Sequence, residues 1–134
     1  MKHFMLIAAL FVSLAVTLPS TAQAGKKRDA RVAYVLKNLR LKKDVQEKFR
    51  PLLDAYLKEL SDLKEPYKKL KDDYEDAINS NKLTAAQCDK LFEAKQKQEE
   101  KEPALNRKHY AKFKTILTAQ QAYKAMKLSD DKIE

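Results

Sequence analysis

The sequence of 134 residues contains one glycine, no tryptophan, one cysteine and two histidines. Because glycine serves tight turns and bulges, a chain whose only glycine is Gly25 is unsuited to a fold rich in strands and turns. The single cysteine, Cys88, excludes an intramolecular disulfide. The sequence instead uses many strong helix formers, chiefly lysine, glutamate, alanine, leucine and glutamine, so we predict an all-α fold.

The N-terminus has the pattern of a secretory signal peptide. A short basic start is followed by an apolar run over residues 4–18, shorter than the roughly 20 residues that a membrane-spanning helix needs. The segment Ala22-Gln23-Ala24 then places small residues at −3 and −1 of a cleavage point. We predict a signal peptide over residues 1–24, cleavage after Ala24, a periplasmic location, and one mature domain over residues 25–134 without a membrane span.

Positive charge dominates the chain, with 28 lysines and arginines against 19 acidic residues. The charges are interleaved, apart from the run Lys26-Lys27-Arg28. Such a protein is attracted to acidic surfaces and acidic unfolded chains. Because an exported protein rarely meets nucleic acid, we expect no nucleic-acid partner.

Two long amphipathic helices are predicted after residue 44. Over residues 45–77 apolar residues recur every three or four positions, and this stripe keeps its phase across Pro51 and Pro66, which predicts bends rather than breaks. Polar residues 79–82 predict a turn. In the second helix the apolar stripe nearly vanishes over residues 93–104, around Pro103. That stretch is expected to be solvated, to form ion pairs, or to face a wet groove.

A short phrase, Leu-Thr-x-x-Gln, occurs twice and predicts two helix starts. As an N-cap, threonine accepts a hydrogen bond from the third helical N–H, and the glutamine side chain accepts one from the N–H of the cap residue. The preceding leucine can pack against the fourth helical residue, which is Cys88 or Ala122. The six motif residues are Leu83, Thr84, Gln87, Leu117, Thr118 and Gln121.

These starts complete a predicted order of short, long, long and short helices. The first short helix covers residues 28–39, and the last begins at Thr118. The long pair forms an elongated antiparallel hairpin. Because a layer one helix thick buries too little apolar surface, we expect a second copy to cover it in a symmetric homodimer.

An exported, basic, nearly glycine-free helical chain with this repeated phrase resembles the Spy/CpxP-like LTxxQ family of periplasmic proteins. Residues 48–52 and 110–124 are similar to its Bacteroidetes-type branch. One departure lies near Leu41, where Lys42 replaces the threonine and Val45 replaces the glutamine. The helix cap there is expected to be weaker.

The resemblance implies a small helical protein, often a cradle-shaped antiparallel dimer. It also implies an ATP-independent chaperone that binds unfolded or misfolded envelope proteins. Alternatives within the family are a stress-signalling adaptor that inhibits a membrane sensor and a metal-responsive binding protein.

Aromatic and basic side chains are the candidates for binding unfolded clients. The aromatic alternative is ordinary helix–helix core, and the lysine alternative is a solvated helix face. The candidates are Tyr56, Tyr67, Tyr74, Phe92, Tyr110, Phe113, Lys64, Lys68, Lys69, Lys71, Lys95, Lys97, Lys108 and Lys112.

Catalytic patterns are missing. The sequence has no glycine-rich phosphate loop and no Ser-His-Asp arrangement, so we expect no enzyme, no catalytic residue and no cofactor. His109 is the only histidine of the mature chain and is interpreted as a half-buried polar partner, because a zinc site needs three or four ligands. Cys88 is expected as a small buried residue. If it is exposed, the alternatives are an intermolecular disulfide or an oxidation sensor.

Overall fold

A computed structural model describes residues 18–131 of the chain, with side chains from Gly25 onward. Its helices are α1 (Leu18–Leu39), α2 (Lys43–Asp73), α3 (Glu75–Asn79), α4 (Ala85–Phe113) and α5 (Ala119–Asp130), and this part of the chain contains no strand. The prediction of an all-α fold built on a long helical hairpin is confirmed. Most of the predicted signal peptide, residues 1–17, lies outside the described residues.

Two helix boundaries differ from the prediction. Helix α1 begins at Leu18 rather than near residue 28, with Pro19 in its first turn, where a missing N–H is tolerated. Helix α2 ends at Asp73, because Tyr74 leaves helical geometry at φ −102° and ψ 14°. The single turn α3 follows, and Asn81 completes the connection to α4 at φ 56°.

The three prolines of the hairpin do not break its helices. Pro51 and Pro66 lie inside α2, and Pro103 lies inside α4. Each lacks the N–H that would bond to the carbonyl four residues earlier. The helices nevertheless continue through all three positions, and for Pro51 and Pro66 the continuous apolar stripe of α2 predicted this.

The hydrophobic core lies at one end of the hairpin. There α1 packs against α2 and α5, while α4 packs against α2 and α5, so four helices enclose the core. Phe113 lies edge-to-face on Phe49, with ring centroids 4.8 Å apart, and on Tyr56, at 5.7 Å. The core residues are Val32, Val35, Leu36, Leu39, Phe49, Leu53, Tyr56, Leu57, Leu60, Phe113, Leu117, Ala122, Ala125 and Leu128.

We call this four-helix part, residues 25–60 and 105–131, the base. The first core residue along the chain is Val32. A chain that begins at Gly25, as the predicted cleavage would leave it, therefore keeps the complete core and is expected to fold on its own.

The remaining part of the hairpin, residues 61–104, forms an arm of two long helices joined by α3 and its turns. No apolar side chain of the arm is buried. Phe92 is 61% exposed and Ile78 is 39% exposed. None of the helices within residues 18–131 is both long enough and apolar enough to cross a membrane.

Candidate functional site

Two capping boxes form the N-termini of helices α4 and α5. Thr84 Oγ1 accepts a hydrogen bond from Gln87 N at 3.1 Å, and Gln87 Oε1 accepts one from Thr84 N at 3.0 Å. Thr118 and Gln121 repeat both bonds at the same distances. The prediction that the repeated phrase marks the starts of α4 and α5 is confirmed.

The two copies of the phrase have different surroundings. In the second copy Leu117 and Ala122 are both buried in the core. In the first copy Leu83 is half-buried and Cys88 is exposed, because the arm offers no core there. The expectation that Cys88 is buried was therefore wrong.

The N-terminus of α2 is weakly capped, as predicted. Lys42 occupies the N-cap position at φ −62° and ψ 150°, close to the backbone geometry of Thr84 and Thr118, but makes no side-chain cap bond. Helix α2 thus lacks the side-chain acceptor that starts α4 and α5.

A polar contact joins the two long helices where the base meets the arm. Glu59 on α2 accepts a hydrogen bond from His109 Nε2 on α4 at 2.5 Å, and from Lys108 Nζ at 3.1 Å. The bond from His109, followed by the bond from Lys108, lowers the pKa of Glu59 from 4.5 to about 2. A carboxylate held in its charged form thereby bridges the two long helices at the root of the arm.

His109 is fully buried, at 1% exposure, rather than half-buried as predicted. Its ring packs against Tyr56 with centroids 5.1 Å apart, and its Nδ1 has no hydrogen-bond partner. Among the described residues, Glu59 is the only acidic side chain bonded to it. Within residues 18–131 no three histidine, cysteine, aspartate or glutamate side chains come together as a metal site.

Two of the aromatic candidates for client binding belong to the core instead. Tyr56 is 3% exposed and Phe113 is fully buried. The Tyr56 hydroxyl donates to Asn106 Oδ1 at 2.7 Å, and its burial, with the nearby Glu102 and Asp130, raises its pKa to about 12. Neither ring can contact a client in this packing, so the core alternative applies to both.

The other aromatic candidates are accessible to different degrees. Tyr67, Tyr74 and Tyr110 are half-buried, and Phe92 is largely exposed. Two ammonium groups lie near the Tyr67 ring, with Lys71 Nζ at 4.8 Å and Lys95 Nζ at 5.2 Å from its centroid. This arrangement places positive charge directly beside an aromatic face of the arm.

Half of the candidate lysines form ion pairs with acidic side chains. The spacing of residues in the sequence indicated only some of these pairs. Lys68 and Lys69 pair with Asp72 and Asp73 one helical turn away, at 3.0 and 3.9 Å. The hydrogen bond to Asp72 raises the pKa of Lys68. Lys64 pairs across the hairpin with Glu102 at 3.6 Å, and Lys108 pairs with Glu59. Lys97 and Lys112 are exposed and form no ion pair with any described residue.

A groove runs between α2 and α4 in the arm, where the apolar stripe of α4 fades. Its cavity volume is about 360 Å³. Leu63, Leu70 and Ala94 are among its apolar lining residues, and lysines and Glu93 border it. Gln98 beside them is buried, and its Oε1 has no partner. Of the alternatives for residues 93–104, the structure thus shows both ion pairing, through Glu102, and a groove.

Sequence reasoning missed two features of this region. One is Ile78, which is exposed near the tip of the arm, because hydrophobic periodicity alone does not show whether a position is covered. A second groove of about 670 Å³ lies where the arm meets the base and includes Lys27 and Arg28 in its lining. The basic run at residues 26–28 was the only signal in the sequence that pointed to it. Arg28 there pairs with Asp54 at 3.0 Å.

No family model, curated protein or solved structure matches this chain. The similarity to Spy/CpxP-like proteins therefore stays a prediction from the repeated phrase and the architecture.

Proposed function

We propose that this protein is a periplasmic, ATP-independent chaperone, a holdase that binds unfolded or misfolded envelope proteins along its arm. The observation that carries the proposal is the exposed apolar surface outside the core. Phe92 and Ile78 are exposed, and the apolar lining of the arm groove is open to solvent. An apolar surface of this kind, bordered by charge, is typical of a protein-binding site.

The charges of the arm suit an unfolded polypeptide. Lys71 and Lys95 lie close to the Tyr67 ring, and Lys97 borders the groove. An unfolded chain presents apolar side chains and carboxylates close together, and both can be accommodated here. Because each contact is small and exposed, clients can dissociate without ATP.

We further propose that the chain belongs with the Spy/CpxP-like proteins and forms a homodimer. The two capping boxes and the long hairpin support the first proposal. The half-buried apolar residues of the arm, including Leu63 and Leu70, support the second, because a second copy can cover surface that one copy leaves open. Sedimentation of the processed chain tests dimerisation.

Site-specific crosslinking tests where clients bind. A photoreactive amino acid replaces Phe92 on the arm or, as the matched control, Tyr123 on α5, which is 60% exposed. We expect an unfolded client to crosslink at position 92 and much less at position 123. Equal crosslinking at the two positions would contradict binding along the arm.

The same crosslinker separates the chaperone from the adaptor alternative. A holdase captures several unrelated unfolded proteins at position 92. An adaptor captures one folded sensor domain and no unfolded client. The second result would replace the holdase proposal with signalling.

A further inference from the structure

The end of the base opposite the arm brings two turns together. The α1–α2 turn contains Leu41, and the α4–α5 turn contains Ile116 and Leu117, which all pack on the same core. The contact between Phe49 and Phe113 places the first turns of α2 beside the last turn of α4. Both turns therefore lie at one end of the molecule.

Six exposed cations surround these turns. None of them forms an ion pair with a described residue. Only two acidic residues, Asp44 and Glu47, lie in the adjoining first turns of α2. We call these six residues the basic end: Lys37, Arg40, Lys42, Lys43, Lys112 and Lys114.

Helix stability does not explain all of this charge. Lys37 and Lys112 lie in the last turns of α1 and α4, where a cation is favourable to the helix dipole. Lys42 and Lys43 instead lie at the N-terminus of α2, where a cation is unfavourable. The same N-terminus lacks a side-chain cap, so its first N–H groups are open to an anion.

We propose that the basic end docks the protein on an anionic membrane surface by binding the phosphate groups of lipids. Unpaired lysines and arginine around free backbone N–H groups are complementary to a layer of phosphates. The choice of a bilayer rests on the predicted export of the chain. It does not rest on client binding, and it leaves the arm at the opposite end free for clients.

A nucleic acid fits this surface less well. Proteins that bind single strands stack bases on exposed aromatic rings between their cations. Among the cations of the basic end, Lys114 packs on an aromatic ring, that of the half-buried Tyr110. Its Nζ lies 4.7 Å from the centroid of this ring and covers it. The ring is therefore not free for stacking.

Vesicle cosedimentation of the processed chain, residues 25–134, tests the proposal. We expect binding at low salt to vesicles that contain phosphatidylglycerol, none to vesicles of phosphatidylcholine alone, and release at high salt. The variant Lys37→Gln/Lys42→Gln/Lys43→Gln should bind on the order of 100-fold more weakly, because each cation near the surface contributes about fivefold. Circular dichroism confirms that the variant keeps its helices.

The matched control removes the same charge from the arm. The variant Lys82→Gln/Lys90→Gln/Lys101→Gln should bind within about threefold of the wild type, since these lysines lie away from the basic end. Equal losses in the two variants, or no binding to anionic vesicles at low salt, would overturn the proposal. Displacement by inorganic phosphate beyond that by chloride of matched ionic strength would reassign the site to a free anion. Tighter binding to duplex DNA than to the vesicles would reassign it to nucleic acid.

Discussion

Glu59 of α2 accepts a hydrogen bond from His109 of α4 where the packed core ends and the arm begins, with 2.5 Å between the two atoms. The histidine is buried, whereas the Glu59 side chain is 42% exposed and also accepts a bond from Lys108. The pair therefore connects the interior of the base to the surface at the root of the arm. It is one of several polar contacts between the two long helices, together with those of Tyr56 with Asn106 and of Lys64 with Glu102.

The substitution Glu59→Gln should make stability less dependent on acid. Because the pKa of Glu59 is about 2 in the folded chain and 4.5 ordinarily, the unfolded chain takes up a proton first as the pH falls. The stabilisation by the carboxylate is fully present above about pH 4.5 and is lost as the pH falls toward 2. Urea denaturation of both proteins at a series of pH values measures this effect.

We expect the wild type to be more stable than Glu59→Gln at neutral pH, and the difference to shrink below pH 4.5. Lys58, one position away, pairs only with Asp62 on the surface, so Lys58→Gln serves as a control with little effect. A difference between wild type and Glu59→Gln that stays constant across the acid range would contradict the assigned role.

Truncation to alanine should strongly destabilise the protein at one phenylalanine and have almost no effect at another. Phe113→Ala removes a fully buried ring that contacts Phe49 and Tyr56, and should lower the free energy of unfolding by about 3–5 kcal/mol. Phe92→Ala removes an exposed ring and should change it by less than about 0.5 kcal/mol. Chemical denaturation measures both. A comparable loss in the two variants would show that the arm is as well packed as the base.

Restoring the missing cap of α2 should stabilise the protein. Lys42 already has the extended backbone of an N-cap, so Lys42→Thr can accept a bond from the first helical turn and should add about 1 kcal/mol. Thr84→Ala removes the existing bond and should cost about 1 kcal/mol. Thermal unfolding monitored by circular dichroism distinguishes the two directions. No gain from Lys42→Thr would mean that this helix start is satisfied in another way.

Arg31 on α1 forms hydrogen bonds to the C-terminal end of α5. Its Nη1 donates to the carbonyl of Leu128 at 3.1 Å and to that of Asp131, and these carbonyls have no partner within the helix. Arg31→Gln should loosen the last turn of α5 by about 1 kcal/mol while α4 keeps its stability. Hydrogen exchange measured helix by helix tests this, and unchanged exchange in α5 would contradict it.

The sequence predicted the all-α class and the starts of α4 and α5 well because these depend on local chemistry, whereas the start of α1 was predicted about ten residues too late. Thr84 and Thr118 could be assigned as caps from residues three positions away, and the apolar stripe of α2 needed only its own periodicity. The break at Tyr74 was not predictable in this way, since the stripe continues through it to Ala77. The missing cap at Lys42 was predictable because it is a departure from a local pattern.

The site was harder to predict because it depends on contacts between distant residues. The aromatic residues Tyr56 and Tyr67 occupy similar positions on the stripe of α2, yet one is buried under four helices and the other lies on the two-helix arm. Only the positions of α1 and α5 decide between them. The hydrogen bond between Glu59 and His109 joins residues 50 positions apart in the chain, and no short-range sequence pattern predicts it.

The central claim is that the arm binds unfolded proteins without ATP, and suppression of aggregation tests it most directly. Light scattering follows an unrelated client as it is chemically reduced, with the processed chain in molar excess and without ATP, at low and at high salt. The account predicts strong suppression at low salt that weakens at high salt, because salt screens the exposed lysines of the arm. No suppression at either salt concentration would contradict the account.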